Sequence, residues 1–140
     1  MQRRTVFADS GYWIAVIYPA DQLHQRARQM AVGLSSARIV TTQMVLTETL
    51  DFMSNLGQYR RQFAAQIVQT LENNPDVEII PQTDTQFMAA VERYAARSDQ
   101  TWSLTDCASF LVMEERNITE ALAYDRDFEQ AGFIALLREN

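Results

Sequence analysis

A chain of 140 residues, 47% of them hydrophobic, is long enough to bury a sizeable core, which excludes a mainly disordered protein. Twelve arginines, no lysine and 18 acids give a net charge of −6, a poor match for a polyanion held by overall charge alone. The single cysteine, Cys107, excludes an intramolecular disulfide and suits a reducing compartment.

Thr5 to Ala8 (T-V-F-A) reads as a short buried strand broken by Asp9-Ser10-Gly11, and Tyr12 to Ile17 as a short helix ended by Pro19. Arg3-Arg4 ahead of this stretch invite comparison with a signal peptide, but Asp9 interrupts the apolar run. No segment approaches the ~18 apolar residues of a membrane span, so a soluble cytoplasmic protein is expected. Asp21 is expected to cap a helix in which Leu23, Ala27, Met30, Ala31 and Leu34 keep helical spacing. Arg38 to Thr42, short and β-branched, is a second strand.

Val45, Thr49, Phe52, Met53 and Leu56 form the inward stripe of the next helix; Glu48 lies inside that stripe, with Asp51 and Asn55 on the wetter side. After Gly57 a helix runs from about Arg60 to Glu72 with Phe63, Ala64, Ile67, Val68 and Leu71 inward. Val77 to Ile80 is a third strand closed by Pro81, and Thr83 or Asp84 caps a helix carrying Phe87, Val91, Tyr94 and Ala95. Trp102 to Arg116 is a helix apolar nearly all round, so the rest of the domain must enclose it. Ser103 is its N-cap, Asp106 completes a capping box, and Asn117 ends it in a left-handed conformation. Ala121 to Tyr124 is a fourth strand, Asp125-Arg126-Asp127 a corner, and Phe133 to Leu137 an edge strand. Short, continuous apolar strands alternating with helices predict a parallel sheet covered on both faces. With no repeat or linker, residues 1–140 form one domain.

Four acids fall at comparable places. Ligands of such sheets bind beyond the carboxyl ends of the strands, where Asp9 and Asp125 directly follow the first and fourth. Asp106 opens the buried helix, and Glu48 is a carboxylate on an apolar helix side. Each has a purely structural reading: Asp9 and Asp106 as caps, Asp125 as a turn residue beside a capping Asp127, Glu48 paired with an arginine such as Arg97. Taken together they make a self-repelling pocket that needs a cation, and oxygen ligands without His or Cys suit Mg²⁺ or Mn²⁺. Neutralising four acids would take the charge from −6 to −2, which weakens the argument against RNA. Arg97 and Arg126 are candidates for binding a phosphate, or are simply solvated or ion-paired arginines.

Other chemistries fit badly. His24 is the sole histidine and reads as a surface residue, Cys107 as packing, and four glycines leave no phosphate-cradling loop.

Hydrophobic-Asp-Ser near the N-terminus, a mid-chain T-E helix, S-L-T-D-C-A-S-F and A-L-A-Y-D-R-D-F-E-Q-A-G-F resemble the PIN-domain nucleases, and most closely their VapC-type toxins. The resemblance spans nearly the whole chain. It implies a three-layer α/β/α sandwich around a mainly parallel sheet of four to five strands, and an endoribonuclease dependent on Mg²⁺ or Mn²⁺. It places the family's metal-binding catalytic acids on Asp9, Glu48, Asp106 and Asp125. Ser10 and Thr105 match supporting hydroxyl positions, and Asp127 an accessory acid. Gly11 stands where Ser or Asn is commoner and loses one possible hydroxyl. A small antitoxin that covers the site and a homodimer are also implied. The competing readings are a catalytically silent PIN-fold module that binds RNA or protein, and a metal-dependent phosphatase, whose D-x-D start is missing because Ser10 and Gly11 follow Asp9.

Overall fold

The β-branched and aromatic runs do become strands, and every pairing between them is parallel. A computed structural model describes residues 3–138. β1 (Thr5–Ala8) is central, flanked by β2 (Arg38–Thr42) and β4 (Glu120–Leu122), with β3 (Val77–Ile80) and β5 (Ile134–Ala135) at the edges. The order β3-β2-β1-β4-β5 means the chain winds outward on one side of β1, then returns to build the other side. The switch therefore falls between β1 and β4. At such a point the two connections leave in opposite directions and open a crevice beyond the strand ends.

α1 (Ser10–Ile17) and α2 (His24–Gly33) link β1 to β2; α3 (Gln43–Met53) and α4 (Gln58–Glu72) link β2 to β3. α5 (Asp84–Ala96) and α6 (Leu104–Arg116) return the chain to β4, and α7 (Arg126–Gln130) leads to β5. The enclosed helix is the expected one: Cys107, Ala108, Ser109, Phe110, Val112 and Met113 of α6 are all buried. Phe110 meets Trp102, Phe128 and Phe133 at ring separations of 5.0–5.7 Å, so α6 is pinned to the corner that carries Asp125. Asn117 ends it at φ 57° in the left-handed region.

Several expectations at element ends and faces are corrected. Asp21 does not cap α2; its Oδ1 accepts from the Leu23 amide (2.9 Å) in a turn that precedes the helix. Ala31 faces outward, and Leu34 is buried just beyond the helix end. His24 is half-buried and donates from Nδ1 to the Ala15 carbonyl (2.6 Å), so it is a packing residue rather than a solvated one. The expected fourth strand is shorter, and the last one stops at Ala135 before a 3₁₀ turn over Leu136–Arg138. Four aromatics placed on inward stripes lie outside: Phe52, Phe63, Phe87 and Tyr94. α4 and α5 are peripheral helices that each fully bury one residue, Ala64 and Ala90 respectively, so their stripes are only half covered.

Candidate active site

Asp9 sits where β1 ends and α1 begins. Its amide donates to the Leu122 carbonyl at the end of β4 (3.2 Å), which locks the two strand ends together at the switch point. Beneath it the Trp13 indole donates to Thr41 Oγ1 (3.2 Å), and that hydroxyl donates to the Ala8 carbonyl (2.8 Å). These bonds tie α1 and β2 to the end of β1 under the crevice. Asp9 itself occupies the N-cap position of α1 without a side-chain cap bond, is 8% exposed, and its Oδ1 is buried with no hydrogen-bond partner. A simple capping role is therefore ruled out for Asp9. An orphaned carboxylate oxygen in an apolar floor costs free energy unless a proton or cation meets it.

The other acids surround it. Burial first, then the negative charges of Asp106, Glu48 and Asp125, push the Asp9 carboxyl up to about 8. Asp106 is pushed up to about 7, by burial and by Asp127 and Asp125. Asp127 is raised as well, by burial and by Asp125. Asp106 also closes the capping box of α6: its Oδ2 accepts from the Ser103 amide (3.1 Å) while Ser103 Oγ accepts from the Asp106 amide (3.0 Å). The helix start thus aims this carboxylate, and Asp106 combines both readings of its role. Glu48 accepts from Ser10 Oγ (2.8 Å), not from Arg97, so the hydroxyl after Asp9 ties α1 to α3 at the site. Asp125 is the N-cap of α7, accepting from the Asp127 amide (3.0 Å); the cap is Asp125, not Asp127 as the sequence alone suggested.

The remaining predicted residues divide. Arg126 is exposed beside Asp125 and lines a cleft of about 570 Å³ with Asp9, Ser10 and Asp125. Arg97 stands apart from that cleft. Its guanidinium is held by Asp99 through two 3.0 Å hydrogen bonds and lies over the Trp102 ring (4.8 Å). Thr105 is on the first turn of α6 beside Asp106, where its carbonyl accepts from Ser109 Oγ (2.9 Å).

The donor set is oxygen only, crowded with like charge, and contains one buried unpartnered oxygen. That suits a hard divalent cation. Among the described residues, the side chains do not yet place three acidic, His or Cys donors around one metal-sized point. Asp106 is turned back onto the Ser103 amide of its capping box.

The PIN domain family model matches residues 6–134, from the first strand to the last. The chain belongs to the PIN domain family. Its relatives include the 23S rRNA-specific endonuclease VapC20 of Mycobacterium tuberculosis, strains CDC 1551 and H37Rv. Each is 28% identical over 134 residues, covering 96% of this chain and 99% of the relative. A crystal structure of M. tuberculosis VapC20, described as a sarcin-ricin loop cleaving toxin, superposes with a TM-score of 0.80 at 24% identity. It covers 92% of this chain and 96% of that one. The PIN architecture expected from the sequence, a parallel sheet under helices, is therefore the fold of this protein.

Three residues of this PIN crevice were not singled out from sequence: Phe52, Tyr124 and Arg138 all line the cleft beside Asp9 and Asp125. For Phe52 a signal existed. It follows Glu48 by four residues, so the two share a helix face.

Proposed function

We propose that this chain is a divalent-metal-dependent endoribonuclease, a single PIN nuclease domain acting as the toxin of a toxin–antitoxin pair. The observation that carries the reading is the buried, unpartnered Asp9 Oδ1; burial first, then the charges of Asp106, Glu48 and Asp125, raise this carboxyl to about 8. A group of acids held at this cost is hard to account for by folding alone. Asp9, Glu48, Asp106 and Asp125 would hold Mg²⁺ or Mn²⁺, which when bound would offset much of the pocket's negative charge, make a bound water easier to deprotonate and stabilise charge on the leaving oxygen.

The chain's own residues do the rest. Ser10 donates to Glu48 and keeps that carboxylate facing the floor. The capping box restrains Asp106. Asp127, on the first turn of α7, adds charge next to Asp106 and Asp125. Arg126, at the rim of the cleft, meets a phosphate of the bound strand. A small antitoxin segment that covers the cleft, with an arginine among the carboxylates, would silence the enzyme, and the toxin itself works as a homodimer. The name of the M. tuberculosis relative makes 23S rRNA the first substrate to try.

The test is cleavage of 23S rRNA and of a mixed RNA pool by purified protein with Mg²⁺, with Mn²⁺ and with EDTA, beside Asp106→Asn. Products that need metal and vanish in the variant are expected. Cleavage that persists in EDTA, or in a correctly folded Asp106→Asn protein, overturns the assignment.

A further inference from the structure

An enzyme with a net charge of −6 must hold RNA against its own field, and the arginines give little help. Among the described residues seven of the 12 are tied to carboxylates: Arg3, Arg4, Arg38, Arg93, Arg97, Arg116 and Arg138. Binding that does not depend on charge must therefore contribute. The cleft contains a source of it. Phe52 and Tyr124, 45% and 42% exposed, line the same opening as Asp9, Asp125 and Arg126. Exposed aromatics also stand singly elsewhere on the surface, Tyr94 among them, so what sets Phe52 and Tyr124 apart is that both line one opening with Asp9 and Asp125, where a ligand with flat faces could use them.

Both rings are held in place rather than loose. Tyr18 packs edge-on against Phe52 (ring centroids 6.2 Å, 62°), and the Arg60 guanidinium lies over Tyr18 (4.7 Å). On the other side Arg138 lies over the Tyr124 ring (4.7 Å), donates to the Tyr124 carbonyl (2.9 Å) and pairs with Glu129 (3.4 Å). Each aromatic is braced on one side, Phe52 by Tyr18 and Tyr124 by the cleft-lining Arg138, so stacking on the other costs little further ordering. Neither Arg126 nor Arg60 is in an ion pair among the described residues; Arg126 lines the cleft with Tyr124, and Arg60 lies over Tyr18 behind Phe52.

Resting on the nuclease reading above, we propose that Phe52 and Tyr124 are base-stacking platforms that position the RNA strand across the carboxylates, one nucleobase on each. Arg126 and Arg60 take the phosphates that follow. Base–aromatic stacking is tolerant of sequence and requires an unstacked base, so these platforms bind unpaired nucleotides and reject a regular duplex.

The experiment uses a single-stranded RNA decamer carrying 2-aminopurine, and the same sequence in a duplex, with full-length protein bearing Asp106→Asn in Mg²⁺. Fluorescence reports stacking and titration reports affinity. The single strand is expected to bind with a fluorescence change and the duplex without one. Phe52→Leu and Tyr124→Leu each weaken the single strand about 10- to 100-fold and alter the signal, while Tyr124→Phe restores it. Tyr94→Leu, an exposed aromatic on α5 away from the cleft, is the control and leaves binding unchanged. Unaltered melting temperatures show that the variants fold.

Unchanged affinity and signal in both leucine variants overturns the platforms, even where the Asp106-competent protein cleaves RNA with metal. Leucine variants that bind RNA normally but lose a co-expressed small protein partner also overturn it, assigning the rings to that partner. Stacking without any metal-dependent cleavage by the Asp106-competent protein supports the platforms and removes the nuclease reading instead.

Discussion

Asp9→Asn in metal-free protein tests the electrostatic argument most directly. A carboxyl raised in the folded state from its ordinary 3.8 to about 8 is protonated by folding over that whole interval. Its stabilising effect is complete below about pH 4 and lost as pH rises through about 8. Between the ordinary value and neutral pH lie about three pH units, each worth ~1.4 kcal/mol, so holding this carboxyl protonated in the fold costs up to ~4 kcal/mol at pH 7. Asparagine removes the ionisation and keeps the shape, but its amide meets the same apolar floor that orphans Oδ1, which returns ~1–3 kcal/mol. A net gain of ~1–3 kcal/mol remains, or about 3–10 °C in melting temperature for a domain of this size. The assay is thermal unfolding in EDTA from pH 4 to pH 8, wild type beside Asp9→Asn. The wild-type melting temperature should fall with pH more steeply than the variant's, and Asp106, raised to about 7, adds to that fall in both proteins. Excess Mg²⁺ or Mn²⁺ should then stabilise the wild type by RT ln(1 + [L]/Kd) and the variant far less. A wild type whose stability is flat across this range in EDTA, and no lower than that of Asp9→Asn at pH 7, refutes the reasoning.

Asp106→Asn should lower cleavage at least ~100-fold yet melt within about 3 °C of wild type, because an asparagine oxygen can still accept from the Ser103 amide; circular dichroism beside the cleavage assay checks both. Ser10→Ala frees Glu48 from its hydroxyl partner and should weaken metal binding about tenfold, read by calorimetry with Mn²⁺. Arg126→Gln should raise KM for RNA and flatten its salt dependence by about one phosphate contact, whereas Arg97→Gln, whose wild-type side chain is held by Asp99, should shift KM less than threefold. Phe110→Ala empties the contact between α6 and the Asp125 corner and should cost ~3–5 kcal/mol in denaturant titrations.

Much of the fold was legible because local chemistry and tertiary demand agree here. Ser103, Asp106 and Asn117 are a capping box and a left-handed stop in the sequence and in the structure alike, and the apolar surface between them predicts enclosure. The strands were legible as uninterrupted apolar runs, since both faces of a parallel sheet are covered. What failed was the judgement of faces. Phe63, Phe87 and Tyr94 fit helical stripes by spacing, but spacing gives only the angular position of a residue, not how far its neighbours extend to cover it. α4 and α5 lie at the periphery, so their stripes run off the edge of what they pack against.

The misplacement of Phe52 has a different cause, and it bears on the site. Phe52 lies four residues beyond Glu48 on α3, on the helix face turned to the cleft, while Val45, Thr49 and Met53 occupy the buried face. Glu48 read as a carboxylate intruding on an apolar stripe, because two adjacent stripes were counted as one. The stripe of Val45, Thr49 and Met53 belongs to the core. That of Glu48 and Phe52 faces the site: Phe52 lines the cleft and Glu48 accepts from Ser10 at its wall, so on the reading proposed above the carboxylate would serve a metal and the ring a base. An acid within an apparently apolar helix face is therefore a reason to ask whether the apolar residue one turn away is core at all.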